Sequence, residues 1–560
     1  MEKIWLQSYQ PGVPSTINPD RYASLNAFFE ESCAAFKDKP AFINLGHTLC
    51  YKDVETHSRA FAAYLQNDLH LQKGDRVGIM MPNLLQYPVV MFGILRAGCV
   101  VVNINPLCAP PELEHTLSDS GAQTLVLFDQ ERETVRAVLK NIDTKNMIIT
   151  SVGDLLPWPK GFMINQYLRL NLKFKKAKKN PWSFFESEKP LNNEISLKEA
   201  LHIGSKKTLE KPMISGNDLA FLQYTGGTTG LSKGAMLSHR NMVANIEQAF
   251  AWLTSIADKD HRVITALPLY HIFSLTANCL TFIRMGAVNI LVTDPRNTKA
   301  LIKTMHAHTF TAMTGVNTLF KSLLDHPDFS KVDFSQKPLV LSGGMALQPE
   351  VAQHWEKVTG IPLVEGYGLT EASPAVCINP INLLHYQGSI GLPVSSTNIS
   401  IRDPEGRELG CNQAGELWVQ GPQVMSGYWQ HPQETQAVFE DGYLKTGDIA
   451  RIDEQGFVYI LDRKKDMIIV SGFNVYPNEV EAVIANMEGV ADVAVCGVSV
   501  EGLEIVKAFV VKRDMNLSQE AIVAYCHTQL SAYKVPKMVE FRDKLPKSTV
   551  GKVLRRLLQA

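Results

Sequence analysis

The run YTGGTTGLSKG, Tyr224 to Gly234, places four glycines, three threonines, one serine and one lysine in eleven residues. Glycines let backbone N–H groups approach an anion closely, and hydroxyls and an ammonium add donors, so the run reads as a loop for phosphate. The template G-x-x-x-x-G-K-[ST] does not fit it. Lys233 stands three residues past Gly230, and Gly234 follows where that template needs Ser or Thr. Taken alone, the run is equally a plain glycine-rich turn. FLQY before it reads as a strand and SHRNMVANIEQAF after it as a Ser-capped helix, so the spacing predicts strand, loop, helix. Four further stretches carry reactive groups: EGYGLTE (365–371), YLKTGDIA (443–450), DRKKDMIIVSGFNVYPNEVE (462–481) and LPKSTVGKVLRR (545–556).

Positioning such groups takes more than one core, since 560 residues exceed what one core sustains. Residues 24–36 carry a Ser N-cap and helical spacing; 74–83 and 99–105 read as buried strands around a helix at 87–98, and 121–128 continues the rhythm. Such alternation predicts layered α/β architecture with parallel sheets. Between 385 and 460, short strands separated by glycine turns (GSIGLPV, ISIRDPEGREL, GELWVQG, GFVYILD) predict a smaller β-rich subdomain. A further α/β mixture follows, with a helix over 477–487 and strands over 492–498 and 505–511, and the charged turn 462–466 is the expected boundary.

Net charge is −1, which makes nucleic acid a poor partner. The nine cysteines show no C-x-x-C spacing, which argues against a zinc site and for buried thiols in a reducing compartment. The opening MEKIWLQSYQPGVP lacks the apolar core of a signal peptide. Arg96 interrupts the longest apolar stretch, so no spanning helix is expected. A cytoplasmic enzyme is the leading class. Between Lys160 and Lys179 lie seven cations and no acid, interleaved or flanked by Trp158, Phe162, Tyr167, Phe174, Trp182 and Phe184. The segment Trp158–Phe185 is either a solvated insertion loop or a peripheral contact with an anionic inner-membrane surface.

In this order and separation the motifs resemble the adenylate-forming superfamily, and most closely the bacterial long-chain fatty-acid–CoA ligases. INPDRYASL, MPNLLQYPVVMFGILRAG, LQYTGGTTG, ALPLYHIFSLT, GSIGLPV and SGFNVYPNE carry the resemblance over nearly the whole chain. The family loop usually has Ser at position 226 and Pro at 232; here they are Gly226 and Ser232. The resemblance implies a large multi-layer N-terminal adenylation domain, residues 1–462. It would hold two parallel-type sheets with helices and a small β-barrel-like subdomain at about 385–460. A small mobile α+β C-terminal domain, residues 463–560, would follow. It also implies ATP, Mg²⁺ and CoA as cofactors or cosubstrates and a long-chain fatty acid as substrate, and a homodimer is compatible with it.

The roles implied by the resemblance are as follows. Thr225, Gly227, Thr228, Thr229, Gly230 and Lys233 grip the departing phosphates. Glu371 is the Mg²⁺ carboxylate, the alternative being a helix-capping acid, and Thr370 touches the α-phosphate. Tyr367, within Gly366–Gly368, lies against the adenine, with Gly343, Gly344 and Met345 as the opposing wall. Asp448 accepts both ribose hydroxyls and Arg463 supports the same ribose. Lys552 bridges carboxylate and α-phosphate during adenylation. Lys465 matches the hinge about which the small domain swings, bringing Gly472, Phe473 and Asn474 to the CoA thiol. His271 and Phe273 stand near the acyl site, His271 being equally a structural core histidine. Two other readings remain: an acyl-AMP ligase serving a separate carrier protein, separated by acyl transfer to free CoA, and a nonenzymatic nucleotide sensor or scaffold, separated by release of AMP and pyrophosphate.

Overall fold

In the computed structural model, residues 2–179, 190–191, 193–225, 232–470, 473–500, 503–547 and 553–558 are described. The expected alternation is present. Strands Arg76–Met80, Val100–Asn103 and Thr124–Phe128 are apolar almost without interruption, as strands covered on both faces must be. They form the middle of a seven-stranded sheet running from Glu194–Ser196 through Asn146–Thr150 to Leu219–Thr225 and Lys233–Ser238. All neighbours in it are parallel except the last pair, which is antiparallel.

A nine-stranded sheet carries Val364–Gly368, Leu339–Ser342, Ala312–Gly315, Arg262–Thr265, Val288–Leu291 and Pro40–Asn44 as parallel neighbours, with antiparallel strands at both edges. Helix Gln86–Arg96 is buried along its whole length. Arg96 is tolerated there because its guanidinium donates to the Glu55 carboxylate and to Ser58 Oγ at 2.8 and 3.0 Å. Helix Leu25–Ala35 starts on the predicted cap, the Ser24 hydroxyl accepting from Ala27 N–H.

The β-rich part is a five-stranded antiparallel sheet, Asn398–Arg402 to Val458–Arg463. Leu392–Pro393, from the GSIGLPV stretch expected there, instead pairs with Ala375–Ile378 at the edge of the nine-stranded sheet. Further on, Val490–Val500, Leu503–Lys512 and Met538–Phe541 form a separate three-stranded sheet, against which helices Pro477–Ala485 and Gln519–Gln529 pack. Residues 160–179 are helical rather than a loop. The remainder of the basic segment through Phe185 lies outside the described residues. Among the described residues no helix is long and apolar enough to cross a membrane. All nine cysteines are free, and Cys33, Cys99, Cys279, Cys377, Cys496 and Cys526 are buried.

Candidate active site

The glycine-rich loop spans the tip of a hairpin. Strands Leu219–Thr225 and Lys233–Ser238 pair antiparallel, with Thr225 opposite Lys233. The predicted strand–loop–helix setting is therefore corrected: a strand intervenes before the helix His239–Trp252, which does start on the expected Ser238 cap. Gly227, Thr228, Thr229 and Gly230 lie outside the described residues. The base of the hairpin is pinned by His115 Nε2, 2.6 Å from the Ser232 carbonyl, and by the Tyr224 hydroxyl donating to Asp119 at 2.5 Å.

Thr225, Lys233, His271, Phe273, Gly343, Gly344, Met345, Gly366, Tyr367, Gly368, Thr370, Glu371, Asp448, Arg463 and Lys465 all line one cleft of about 1970 Å³. Asp448 and Arg463 face each other on adjacent strands, with Arg463 Nε 3.2 Å from Asp448 Oδ1. The Tyr367 hydroxyl donates to Asp448 Oδ2 at 2.6 Å. Burial and the adjacent Asp448 carboxylate push that hydroxyl well above its ordinary range, so it stays protonated as a donor. Asp448 thus presents an oriented, buried carboxylate with lone pairs left for a diol. Gly368 has no room for a side chain: a Cβ there would sit 2.2 Å from the Pro374 carbonyl oxygen. At Gly343 a Cβ would meet the Phe273 ring at 3.0 Å, which explains why backbone alone forms that wall.

Glu371 lies on the single turn Thr370–Ala372, and its carboxylate accepts from the Tyr428 hydroxyl at 2.7 Å. Lys233 Nζ lies 5.4 Å from the centroid of that same tyrosine ring and 3.9 Å from Glu434. His271 caps the turn Ile272–Ser274 through Nδ1, accepting from Phe273 N–H at 3.3 Å. Burial pushes its pKa down to about 4, so the ring is neutral at pH 7 and cannot act as a cation.

The small sheet's layer closes one side of the cleft with Glu481, Asp492, Lys547, Val553 and Arg555. Lys552 lies outside the described residues, as does Gly472; Val553, next to Lys552, lines the cleft. Phe473 and Asn474 do not line it. Phe473 is 57% exposed, its ring stacked on Tyr533 at 4.9 Å.

Several residues of this site carry no motif signal. Tyr428 and Glu434 join the cleft only through folding. Glu365 begins a motif yet shows nothing in sequence of its burial, which pushes its carboxyl up to about 8. Trp252, Leu253, Phe282, Met313, Leu339 and Ile381 add apolar surface to the lining of the same cleft, and only composition marks those residues. Arg555 gathers Glu481, Asp466 and Asn478 at 2.8, 3.1 and 2.8 Å, with Asp462 at 3.7 Å.

Two parallel-cored sheets, a β-rich layer and a small α/β layer meeting at one carboxylate-lined cleft define a nucleotide-handling enzyme of the adenylate-forming fold. AMP-binding enzymes match residues 29–429, and the AMP-binding enzyme C-terminal domain matches residues 479–552. The chain belongs to the AMP-binding enzyme family. It is 51% identical over 565 residues to a long-chain-fatty-acid–CoA ligase of Escherichia coli O157:H7, covering 100% of this chain and 98% of that one. A long-chain-fatty-acid–CoA ligase of Bacillus subtilis (strain 168) is 40% identical over 568 residues, with the same coverage. Among solved structures, ATP-bound MatB from Rhodopseudomonas palustris superposes with a TM-score of 0.80 at 28% identity, covering 95% of this chain and 98% of that one.

Proposed function

We propose that this chain is a long-chain fatty-acid–CoA ligase. A fatty-acid carboxylate attacks the α-phosphorus of ATP, the bond to the bridging oxygen breaks, and pyrophosphate leaves acyl-AMP behind. The CoA thiol then attacks the acyl carbon, loses its proton, and AMP departs with the C–O bonding pair. The observation that carries this reading is the lining of the cleft: the cavity that holds Asp448, Tyr367 and Glu371 is also lined by the apolar side chains of Trp252, Leu253, Phe282 and Met313. A cleft lined by both polar groups and large apolar side chains suits a substrate with one charged end and a long alkyl body. Full-length similarity to ligases of that name supports the same reading.

In this reading Asp448 and Arg463 receive the ribose and Tyr367 flanks the adenine. Gly343, Gly344 and Met345 form the opposite side, and Thr370 meets the α-phosphate. Lys233 and the loop from Thr225 to Gly230 take the departing phosphates. Lys552 enters from the small domain to offset charge at the reacting centre. The chain divides near Asp462, Lys465 serves as hinge, and rotation brings Gly472, Phe473 and Asn474 to the thiol. The exposure of Phe473, which does not line the cleft, fits the adenylating pose. Among the described residues no cluster of three His, Cys, Asp or Glu could cage a metal. A single carboxylate, Glu371, completed by phosphate oxygens and water suits magnesium. Held there, the ion would neutralise phosphate charge.

Helix Lys160–Lys179 supports a peripheral place on the anionic cytoplasmic face of a membrane. Met163, Tyr167, Leu170 and Phe174 repeat at helical spacing on one face and are 57, 65, 49 and 56% exposed. Cosedimentation with anionic vesicles tests this: Tyr167→Glu with Leu170→Glu abolishes binding, and unchanged binding removes the helix from the account. The function itself is tested with a panel of carboxylates from acetate to oleate, supplied with ATP and CoA. AMP and acyl-CoA appear with the long chains; ADP as product, or activity confined to acetate, overturns the reading.

A further inference from the structure

One short segment, Met425–Trp429, is stitched to both groups that the proposed reaction uses to handle the triphosphate. On one side Met425 N–H donates to the Glu371 carbonyl at 2.7 Å. On the other, Trp429 N–H donates to the Gly234 carbonyl at 2.8 Å, Met236 N–H to the Gly427 carbonyl at 2.9 Å, and Tyr428 bridges to Ala235. Tyr428 N–H is itself held by Thr435 Oγ1 at 2.9 Å. The side chain repeats the double attachment: its hydroxyl donates to Glu371 Oε1 and its ring lies beneath the Lys233 ammonium. A separation of 5.4 Å is within the range at which a ring face attracts a cation. Glu434 also pairs with the same ammonium, at 3.9 Å.

We propose that Tyr428 is a positioning residue for metal-dependent nucleotide binding. It fixes the Glu371 carboxylate in one orientation through a single hydrogen bond and keeps Lys233 beside it on the ring. The inference rests on the reading of Glu371 as the magnesium carboxylate. A carboxylate on a one-turn 3₁₀ segment has free rotation about its side-chain bonds unless something orients it. A partner donating to one oxygen leaves the remaining lone pairs aimed for an ion, and losing such an outer partner typically costs about ten- to a hundredfold in metal affinity.

Tyr428→Phe isolates the claim, since it keeps the ring and Lys233's contact and removes only the hydroxyl. ATP affinity is measured by calorimetry on the full chain, in chelator and again in saturating magnesium, for the native protein, Tyr428→Phe and Glu371→Gln. The expected result is metal-free ATP affinity within about twofold of native for Tyr428→Phe, with the gain from magnesium cut about tenfold. Michaelis constants for the fatty acid stay unchanged. A native magnesium gain in Tyr428→Phe beside a lost gain in Glu371→Gln overturns the positioning role alone. Equal weakening with and without magnesium in Tyr428→Phe also overturns it, because a general structural defect would do that. A native gain in Glu371→Gln removes the underlying reading of Glu371, and the positioning role with it.

Discussion

Replacing Arg555 by methionine should loosen the small domain by about 3–5 kcal/mol, the usual effect of withdrawing one partner from a buried ionic cluster. The side chain is 15% exposed and touches three carboxylates, those of Glu481, Asp466 and Asp462. Asp462 has no exposure at all. Burial already pushes Glu481 up to about 7 and raises Asp462, even with the guanidinium present. Without it, both acids would bind protons more tightly still. Acids with folded-state pKa values above the unfolded ones contribute full stability at low pH and lose it as pH rises through the folded value. The defect in Arg555→Met is therefore small at pH 5.5 and large at pH 8. Cys526, a buried free thiol of this domain, reports its opening. Thiol labelling at Cys526, normalised to the unfolded chain at each pH, should accelerate at pH 8 by roughly two to three and a half orders of magnitude. Labelling within twofold of native, or a larger defect at pH 5.5 than at pH 8, refutes the reasoning.

Asp448→Ala raises the Michaelis constant for ATP by about ten- to a hundredfold, as loss of charged hydrogen bonds would, and leaves that for fatty acid unchanged; Asp448→Asn, which still accepts from Tyr367, is milder in steady-state assays. Lys552→Met slows acyl-AMP formation by roughly 10²–10³ while leaving thioester formation from supplied acyl-AMP intact, and Lys465→Pro gives the reverse pattern in single-turnover assays. His239 is buried with its pKa pushed down to about 4 by burial; stability it contributes above pH 6.5 is lost as pH falls through 4, by about 3 kcal/mol. His239→Gln, which still accepts from Leu25 N–H, flattens the fall in Tm between pH 6.5 and 4.5.

Layered α/β architecture was legible because buried parallel strands leave unbroken apolar runs, as at Val100–Asn103. The motif residues of the proposed nucleotide wall were visible in the sequence, and the fold brings them to one cleft: Gly368 sits where backbone approaches too closely for any Cβ, and Asp448 and Arg463 are paired across two strands. Lys233–Ser238 was missed as a strand because six mixed residues beside a capped helix carry little period-two signal. Tyr428, Glu434 and Arg555 could not be assigned, since their roles come from contacts between distant segments. The apolar part of the cleft's lining is invisible for the same reason: Phe282 and Leu253 belong to a core cluster and differ from other core residues only in lining the cavity.

Those distant contacts also bear on the swing proposed above. For the small domain to rotate about Lys465, Asp462 must give up Asn478 N–H, at 2.7 Å, and Arg555, both of which would move away from it. Lys321, on helix Asn317–Leu324 and lining the cleft, donates to the Ala491 carbonyl at 2.7 Å. A charged donor at a part-buried contact contributes about 1–2 kcal/mol, so Lys321→Met should shift the ratio of the two poses by roughly five- to thirtyfold. Lys321 is not among the partners given for Asp462 or Asp466, so its loss leaves that cluster in place and moves only the balance. Energy transfer between labels on Cys411, which is exposed, and on a cysteine placed at exposed Met515 reads that balance directly. The adenylating pose loses population, and acyl-AMP formation slows while thioester formation does not. An unchanged distance distribution would show that the hinge cluster of Asp462 and Arg555 alone sets the resting pose.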